Sequence, residues 1–368
     1  MNISFLLGDV TAKGGIEKVT LTLSVALNNN QNVNIISLYK THSESVFDHK
    51  GVPVNFLKGH FETSMYNRPY KSILGYFFDL VYILKKNFSL NKALTKSKAE
   101  IVVTCDIKMT ILAWCSSLFT KRKIIAIEHF EYEVAHPILR KVRKLLYRKI
   151  AALVTLTAED YEKYHWMEKH KLHTIPNIVK VKPSTSSQNK KKDVIAVGRM
   201  TNQKGFDLLI KAWSKIYKTH SDWTLKIFGD GEDREKLQAQ IDTYSIKNIK
   251  LEYFVNDIDS VYQQSEVFVL SSRYEGLGMV LIEALAHQLA CISFDCPAGP
   301  KTIIQNDKNG LLVPTGDVDR LAEAMDNLLG SKTLRDKYSQ NALSSIEVYS
   351  EKSVINKWNK LLAELDDE

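Results

Sequence analysis

Cysteine is scarce: Cys105, Cys115, Cys291 and Cys296 are the four in 368 residues, and none forms a C-x-x-C pair. That leaves no metal or redox motif and fits buried, reduced thiols in a cytosolic protein. Long apolar runs are missing too. The longest, residues 73–84, falls far short of the ~20 residues that span a bilayer. The first residues, Met1-Asn2-Ile3-Ser4-Phe5-Leu6-Leu7-Gly8, are apolar but have no basic n-region and no cleavage site, so they read as a β-strand and not as a signal peptide. No G-x-G-x-x-G follows that strand, which argues against a dinucleotide-dependent dehydrogenase. Acidic residues are few in the first half. Residues 1–180 hold 15 Asp/Glu against 26 Lys/Arg, whereas residues 181–368 hold 27 against 24. The net charge of +8 therefore belongs to the first half, which is expected to meet something anionic, either nucleic acid or an anionic membrane face. No aromatic-interleaved basic motif or nucleic-acid module accompanies the charge, so no nucleic-acid partner is expected.

What remains is ordinary globular composition, 44% apolar and 25% charged, at a length that suits two domains. Short β-branched runs at 3–7, 33–38, 101–104, 123–127 and 152–157 read as buried parallel strands, with helical patterns at 17–28 and 142–149 between them. Near residue 180 the texture changes. Lys182-Pro183-Ser184-Thr185-Ser186-Ser187-Gln188-Asn189-Lys190-Lys191-Lys192 is polar and structure-poor, the best linker candidate. The alternation then restarts, with strands at 193–197, 223–228, 249–253, 267–270, 291–294 and 310–313 and a helix at 206–217. The expectation is an α/β protein of two Rossmann-like domains, 1–180 and 190–350, facing across a cleft, with a last helix at 351–365 packing back on the first.

The chemistry concentrates in Ser271-Ser272-Arg273-Tyr274-Glu275-Gly276-Leu277-Gly278-Met279-Val280-Leu281-Ile282-Glu283-Ala284. It follows a buried strand, and its glycines permit a tight turn and close backbone approach. A helix starting near Met279 would point free N–H groups at whatever sits beyond the strand, a natural diphosphate site. Glu275 would project from the loop. Glu283, eight residues on, would lie about two helical turns away on roughly the same side.

These residues resemble the E-x7-E motif of retaining glycosyltransferases of family 4 with the GT-B fold, whose members build bacterial polysaccharides and lipid-linked glycans. Val197-Gly198-Arg199-Met200-Thr201-Asn202-Gln203-Lys204-Gly205-Phe206 is similar to the family's GR-xxxx-KG loop, and Phe228-Gly229-Asp230-Gly231-Glu232 to its glycine turn. Asp295-Cys296-Pro297-Ala298-Gly299-Pro300 and Asn309-Gly310-Leu311-Leu312-Val313 match its closing elements, and Gly14-Gly15-Ile16-Glu17-Lys18 its first glycine loop. The resemblance implies that Arg199 and Lys204 hold the donor diphosphate, that Glu275 contacts the transferred sugar, and that Glu283 takes the ribose hydroxyls. Met279 and Val280 would offer N–H groups to the phosphates. His129, after a strand in Ile127-Glu128-His129-Phe130, resembles the family's histidine near the anomeric carbon. Each has a plainer alternative: solvated loop cations for Arg199 and Lys204, a helix pair for Glu283, a tight turn for Gly14 and Gly15, a structural role for His129. The donor would be a UDP-sugar, on the analogy of residues 295–300. No cofactor and no metal is expected, since Asp257-Ile258-Asp259 precedes a helix start where Asp is a common cap. A nucleotide-sugar epimerase of the same fold is the competing enzyme.

The acceptor side rests on two stretches. Residues 138–150 place apolar side chains at 138, 139, 142, 145, 146 and 150 with Arg140, Lys141, Arg143 and Lys144 between them. That is the pattern of a basic amphipathic helix, suited to an anionic membrane at the cytoplasmic face of the inner membrane or to packing with a solvated basic face. Residues 66–88, rich in Tyr, Phe, Leu and Lys, read as a core helix or a lip for a lipid-linked acceptor.

Overall fold

The computed structural model describes residues 1–68, 73–129, 132–134, 136–180 and 190–367. The chain divides into two compact units, one of Met1–Ile178 with Val354–Glu368, the other Val179–Ser353. Most of the polar stretch read as a linker, residues 182–189, lies outside the described residues; Lys191 and Lys192, read with it, are strand.

The first unit runs β1 (Asn2–Asp9), α1 (Gly15–Leu27), β2 (Asn32–Tyr39), β3 (Val54–Phe56), α2 (Ile73–Lys96), β4 (Ile101–Thr104), α3 (Ile107–Ser117), β5 (Lys123–Glu128), α4 (Pro137–Leu146), β6 (Ala152–Thr155), α5 (Ala158–Lys163) and β7 (Leu172–Thr174). Its strands lie in the order β3-β2-β1-β4-β5-β6-β7, all parallel. The four-residue strands β4 and β6 are buried throughout, as expected where helices cover both faces of a parallel sheet.

The second unit runs β8 (Lys191–Val197), α6 (Phe206–Ile216), β9 (Thr224–Phe228), α7 (Arg234–Tyr244), β10 (Ile249–Glu252), α8 (Ile258–Gln264), β11 (Ser265–Leu270), α9 (Met279–Ala286), β12 (Ala290–Phe294), α10 (Pro300–Ile303), β13 (Gly310–Val313), α11 (Val318–Gly330) and α12 (Lys332–Ser345). Its parallel strands lie in the order β10-β9-β8-β11-β12-β13. Trp213 of α6, Phe294 of β12 and Met325 of α11 are fully buried in one core.

In both sheets the strand order turns back on itself at one place, between β1 and β4 and between β8 and β11. Right-handed crossovers leave the two strands on opposite sides there, so the loops leaving their carboxyl ends diverge and open a crevice. The loops after β8 and β11 carry Arg199, Lys204 and Glu275.

The last helix, α13 (Glu351–Asp366), begins at the end of the second unit. It buries Val354, Trp358, Leu361, Leu362 and Leu365, an i, i+4, i+7, i+8, i+11 stripe. Val354 and Trp358 line a small pocket with Leu23, Ile127 and Ile175, and the Lys123 ammonium donates to the Leu365 carbonyl. The helix therefore packs on the first unit.

One expectation fails in the first unit. The helix expected over 142–149 starts earlier, at Pro137, where the fixed φ of proline suits the first helical position. It stops at Leu146, followed by a 3₁₀ turn at Tyr147–Lys149. More consequentially, Arg143, expected on a membrane-facing basic surface, is 3% exposed and 3.4 Å from Glu128. Tyr147 donates its hydroxyl to the same carboxylate. The apolar spacing hid this because Ile138 and Leu145, read as part of one apolar face, are 49% and 68% exposed.

Candidate active site

β8 ends at Val197 and the chain runs through Gly198, Arg199 and Met200 to a 3₁₀ turn at Asn202–Lys204 and on to α6. β11 ends at Leu270 and the chain loops through residues 271–278 to α9. The two loops are zipped together. Arg273 donates its backbone N–H to the Gln203 carbonyl at 2.8 Å, and the Gln203 amide donates to the Tyr274 carbonyl at 3.1 Å. The Ser271 hydroxyl donates to the Lys204 carbonyl at 2.9 Å. The Arg273 guanidinium grips both Asp207 carboxylate oxygens at 2.8 and 2.7 Å and holds the Asp207 carboxyl below its usual range against the opposing effect of burial. Such a two-pronged contact fixes geometry as well as charge.

Two glycines are required by this closeness. A Cβ on Gly205 (φ +61) would stand 2.1 Å from the Ser271 carbonyl oxygen, and one on Gly229 (φ +142) 2.0 Å from that of Gly198. Gly198 leaves room of another kind: its Cβ would press on the Lys204 side chain at 3.1 Å.

The zipped loops bring Lys204 to Glu275. The ammonium nitrogen lies 2.7 Å from Glu275 Oε1, with the two side chains 16% and 7% exposed. Ser272 donates its hydroxyl to the same oxygen at 2.5 Å, and the Glu275 N–H donates to the Pro297 carbonyl at 3.2 Å. The loop residues 295–300 thus brace Glu275 from the other side. Three residues on, Gly278 (φ +83) caps α9. Met279 and Val280 occupy its first two positions, where backbone N–H groups have no intrahelical acceptor. Glu283, half-buried one turn further on, accepts from the Tyr262 hydroxyl at 3.3 Å. Tyr262 in turn stacks on His287 with ring centroids 5.3 Å apart. The helical spacing expected between Glu275 and Glu283 does not exist, because Glu275 sits in irregular backbone ahead of the left-handed Gly278. Arg199 is exposed at the tip of its loop. Asp257 caps α8, accepting from the Ser260 N–H at 3.4 Å.

Gly198, Lys204, Gly229, Glu275, Gly278, Met279, Val280 and Glu283 are therefore gathered in the second unit. Gly14, Gly15 and His129 belong to the first. Gly14 has φ −114, so the backbone does not demand glycine there, and a Cβ on Gly15 would meet nothing within 4 Å. His129 follows β5, with Nε2 enclosed and without a hydrogen-bond partner among the described residues. Burial pushes its pKa down to about 4, which makes it a neutral imidazole at physiological pH.

Sequence reasoning passed over Ser272, Arg273 and Tyr262, which position the two glutamates. Their motif neighbours were visible, but a hydroxyl that orients a carboxylate leaves no mark in residue spacing. At the switch of the first unit it also passed over Asp106, which caps α3 and accepts from the Tyr66 hydroxyl at 2.6 Å.

The profile of the family "Glycosyl transferases group 1" matches residues 178–345, nearly the whole second unit. The chain is a glycosyltransferase, and the match places its second unit with the group 1 domains. Over its full length this glycosyltransferase resembles the amylovoran biosynthesis glycosyltransferase AmsD of Erwinia amylovora, 28% identical across 97% of this chain and 98% of AmsD. It also resembles the Campylobacter jejuni GalNAc-α-(1→4)-GalNAc-α-(1→3)-diNAcBac-PP-undecaprenol α-1,4-N-acetyl-D-galactosaminyltransferase, 27% identical across 99% of both chains. A TarM variant of S. aureus, solved with fondaparinux, α-GlcNAc-glycerol and UDP, has the same fold. The TM-score is 0.79 at 16% identity, over 98% of this glycosyltransferase and 99% of TarM. Both units of the glycosyltransferase are thus Rossmann-like α/β domains of the GT-B class.

Proposed function

We propose that this glycosyltransferase is retaining and metal-independent, and moves a hexose or N-acetylhexosamine from a UDP-sugar to a saccharide or lipid-linked saccharide in cell-surface polysaccharide synthesis. The observation that carries the reading is the Lys204–Glu275 contact of 2.7 Å beside the open start of α9. Breaking a sugar–phosphate bond leaves a nucleoside diphosphate whose charge must be met as it develops. Lys204, Arg199 and the N–H groups of Met279 and Val280 meet it, with no call on a divalent cation. Glu275, oriented by Lys204 and Ser272, accepts hydrogen bonds from hydroxyls of the transferred sugar. Glu283, held by Tyr262, takes the ribose hydroxyls. His129 is a neutral hydrogen-bonding group near the reacting carbon, and Gly14 and Gly15 keep backbone open to the substrate.

In the proposed step the bond from the anomeric carbon to the phosphate oxygen breaks, and a bond to the acceptor oxygen forms on the same face. The acceptor's proton passes to an oxygen of the departing diphosphate, so the protein positions partners and supplies no base. The UDP bound to TarM and the undecaprenol-linked acceptor in the Campylobacter relative's name support the choice of donor and acceptor class. The undecaprenol-linked acceptor in that name and the basic first half support peripheral association with an anionic membrane at the cytoplasmic face of the inner membrane. The test is proton NMR of the product formed with EDTA present. The expected result is undiminished turnover and an anomeric configuration matching the donor's; inversion, or loss of turnover on chelation, contradicts the mechanism.

A further inference from the structure

The peripheral-membrane reading places no particular surface against the bilayer, and the basic face of α4 is a poor one now that Arg143 is buried. Helix α2 offers another. Its inner side buries Tyr82, Ile83, Lys86, Leu90, Ala93 and Leu94. Its outer side is apolar as well: Leu74, Phe77, Leu84 and Phe88 are 62%, 65%, 67% and 80% exposed. Spacings of three, seven and four residues put these side chains on one face, over about 21 Å of helix. Leu80, 52% exposed, adjoins them. A helix needs one apolar stripe to fold against its domain, and α2 has a second stripe with no folding role.

A second element contributes to the same surface. The turn after α3 presents Leu118, 50% exposed, and Phe119, fully exposed. Arg122 ties this turn to α2 by donating to the Asn91 side-chain oxygen and the Thr95 hydroxyl, both at 2.7 Å. Two separately built elements thus expose aromatic side chains beside each other.

The charge around them is mostly positive. Lys85, Lys92 and Lys96 are exposed on α2, and its single acidic residue, Asp79, is paired with Arg68. Lys121, Lys141, Lys144 and Lys149 are exposed nearby in sequence and domain. Residues 73–149 hold 15 Lys/Arg against 6 Asp/Glu. Apolar side chains at helical spacing rimmed by lysines match the boundary between acyl chains and anionic headgroups.

We infer that the outer stripe of α2, with Leu118 and Phe119, is the surface through which this glycosyltransferase enters the headgroup boundary of an anionic bilayer. The inference rests on the peripheral-membrane reading above and names its contact. The test is flotation with phosphatidylcholine vesicles, with and without phosphatidylglycerol, of wild type and of a triple variant Phe77→Ser, Leu84→Ser, Phe88→Ser. Light scattering without lipid accompanies it. All three side chains are exposed, so the variant should keep the wild-type melting temperature; Phe119→Ser, at a fully exposed position, serves as an independent second variant. The expected result is binding that requires phosphatidylglycerol and weakens with salt. It should fall at least about tenfold in the triple variant and in the same direction in Phe119→Ser. Wild-type flotation with undiminished flotation of both variants overturns the assignment to α2 while leaving the membrane reading standing. No flotation of wild type overturns both. A lipid-free dimer that the triple variant dissolves, without vesicle binding, reassigns the stripe to a second copy of the chain.

Discussion

Lys204 and Glu275 form a largely buried contact of 2.7 Å. Removing one partner of such a buried pair strands the other, and that costs more than the pair contributes when intact. Lys204→Met should therefore lower stability by about 2–4 kcal/mol and turnover by at least about a hundredfold. Denaturant melts and steady-state rates measure the two separately. Tyr262 acts further back. Tyr262→Phe removes the hydroxyl that Glu283 accepts at 3.3 Å and should raise the donor KM severalfold with kcat nearly unchanged. With a donor lacking the ribose hydroxyls, wild type and variant should converge. His129 gives a pH prediction whose sign is fixed. Its folded-state pKa of about 4 lies below the ordinary 6.5, so the unfolded chain takes up the proton first. Stability is fully present above pH 6.5 and declines as pH falls toward 4. His129→Gln should flatten that part of a urea-midpoint profile, and an unchanged profile would place the acid sensitivity elsewhere.

Helix α4 shows where a pattern misleads. Arg143 lies buried against Glu128, Tyr147 and Tyr164. Burial alone would lower the value of its guanidinium, and the Glu128 carboxylate more than reverses that, holding the charge on. Charge reversal at Arg143 should unfold the domain or cost about 3–5 kcal/mol. Lys141→Glu, at an exposed position, should leave the melting temperature within a degree or so. The strand Ile101–Thr104 was legible in the sequence to the residue, because a strand buried along its whole length is a short β-branched run and little else. The glutamate loop was legible in part because Gly278 (φ +83) answers to left-handed backbone that favours glycine. The inward side of α4 was not, because a buried arginine and an exposed leucine defeat any reading by polarity. The outer stripe of α2 was legible only as one of two readings, core helix or acceptor lip, since a helix apolar on two faces also looks in sequence like a core helix.

At the scale of the whole molecule, two sheets with the same switch in strand order carry two kinds of residue. The second gathers cations, carboxylates and helix N–H groups, the arrangement we propose for a nucleotide sugar. The first is basic, and its exposed apolar side chains face outward. Division of labour of this kind predicts that damage to the second unit's site abolishes consumption of donor whatever acceptor is offered. The measurement that tests this most directly is UDP release across a panel of UDP-sugars, wild type beside Glu275→Gln. The variant keeps the shape of the side chain and loses its charge. Release from at least one UDP-sugar by wild type, falling at least about a hundredfold in Glu275→Gln with the melting temperature preserved, is the predicted result. Equal release by the two proteins, or none by wild type from any UDP-sugar, would contradict it.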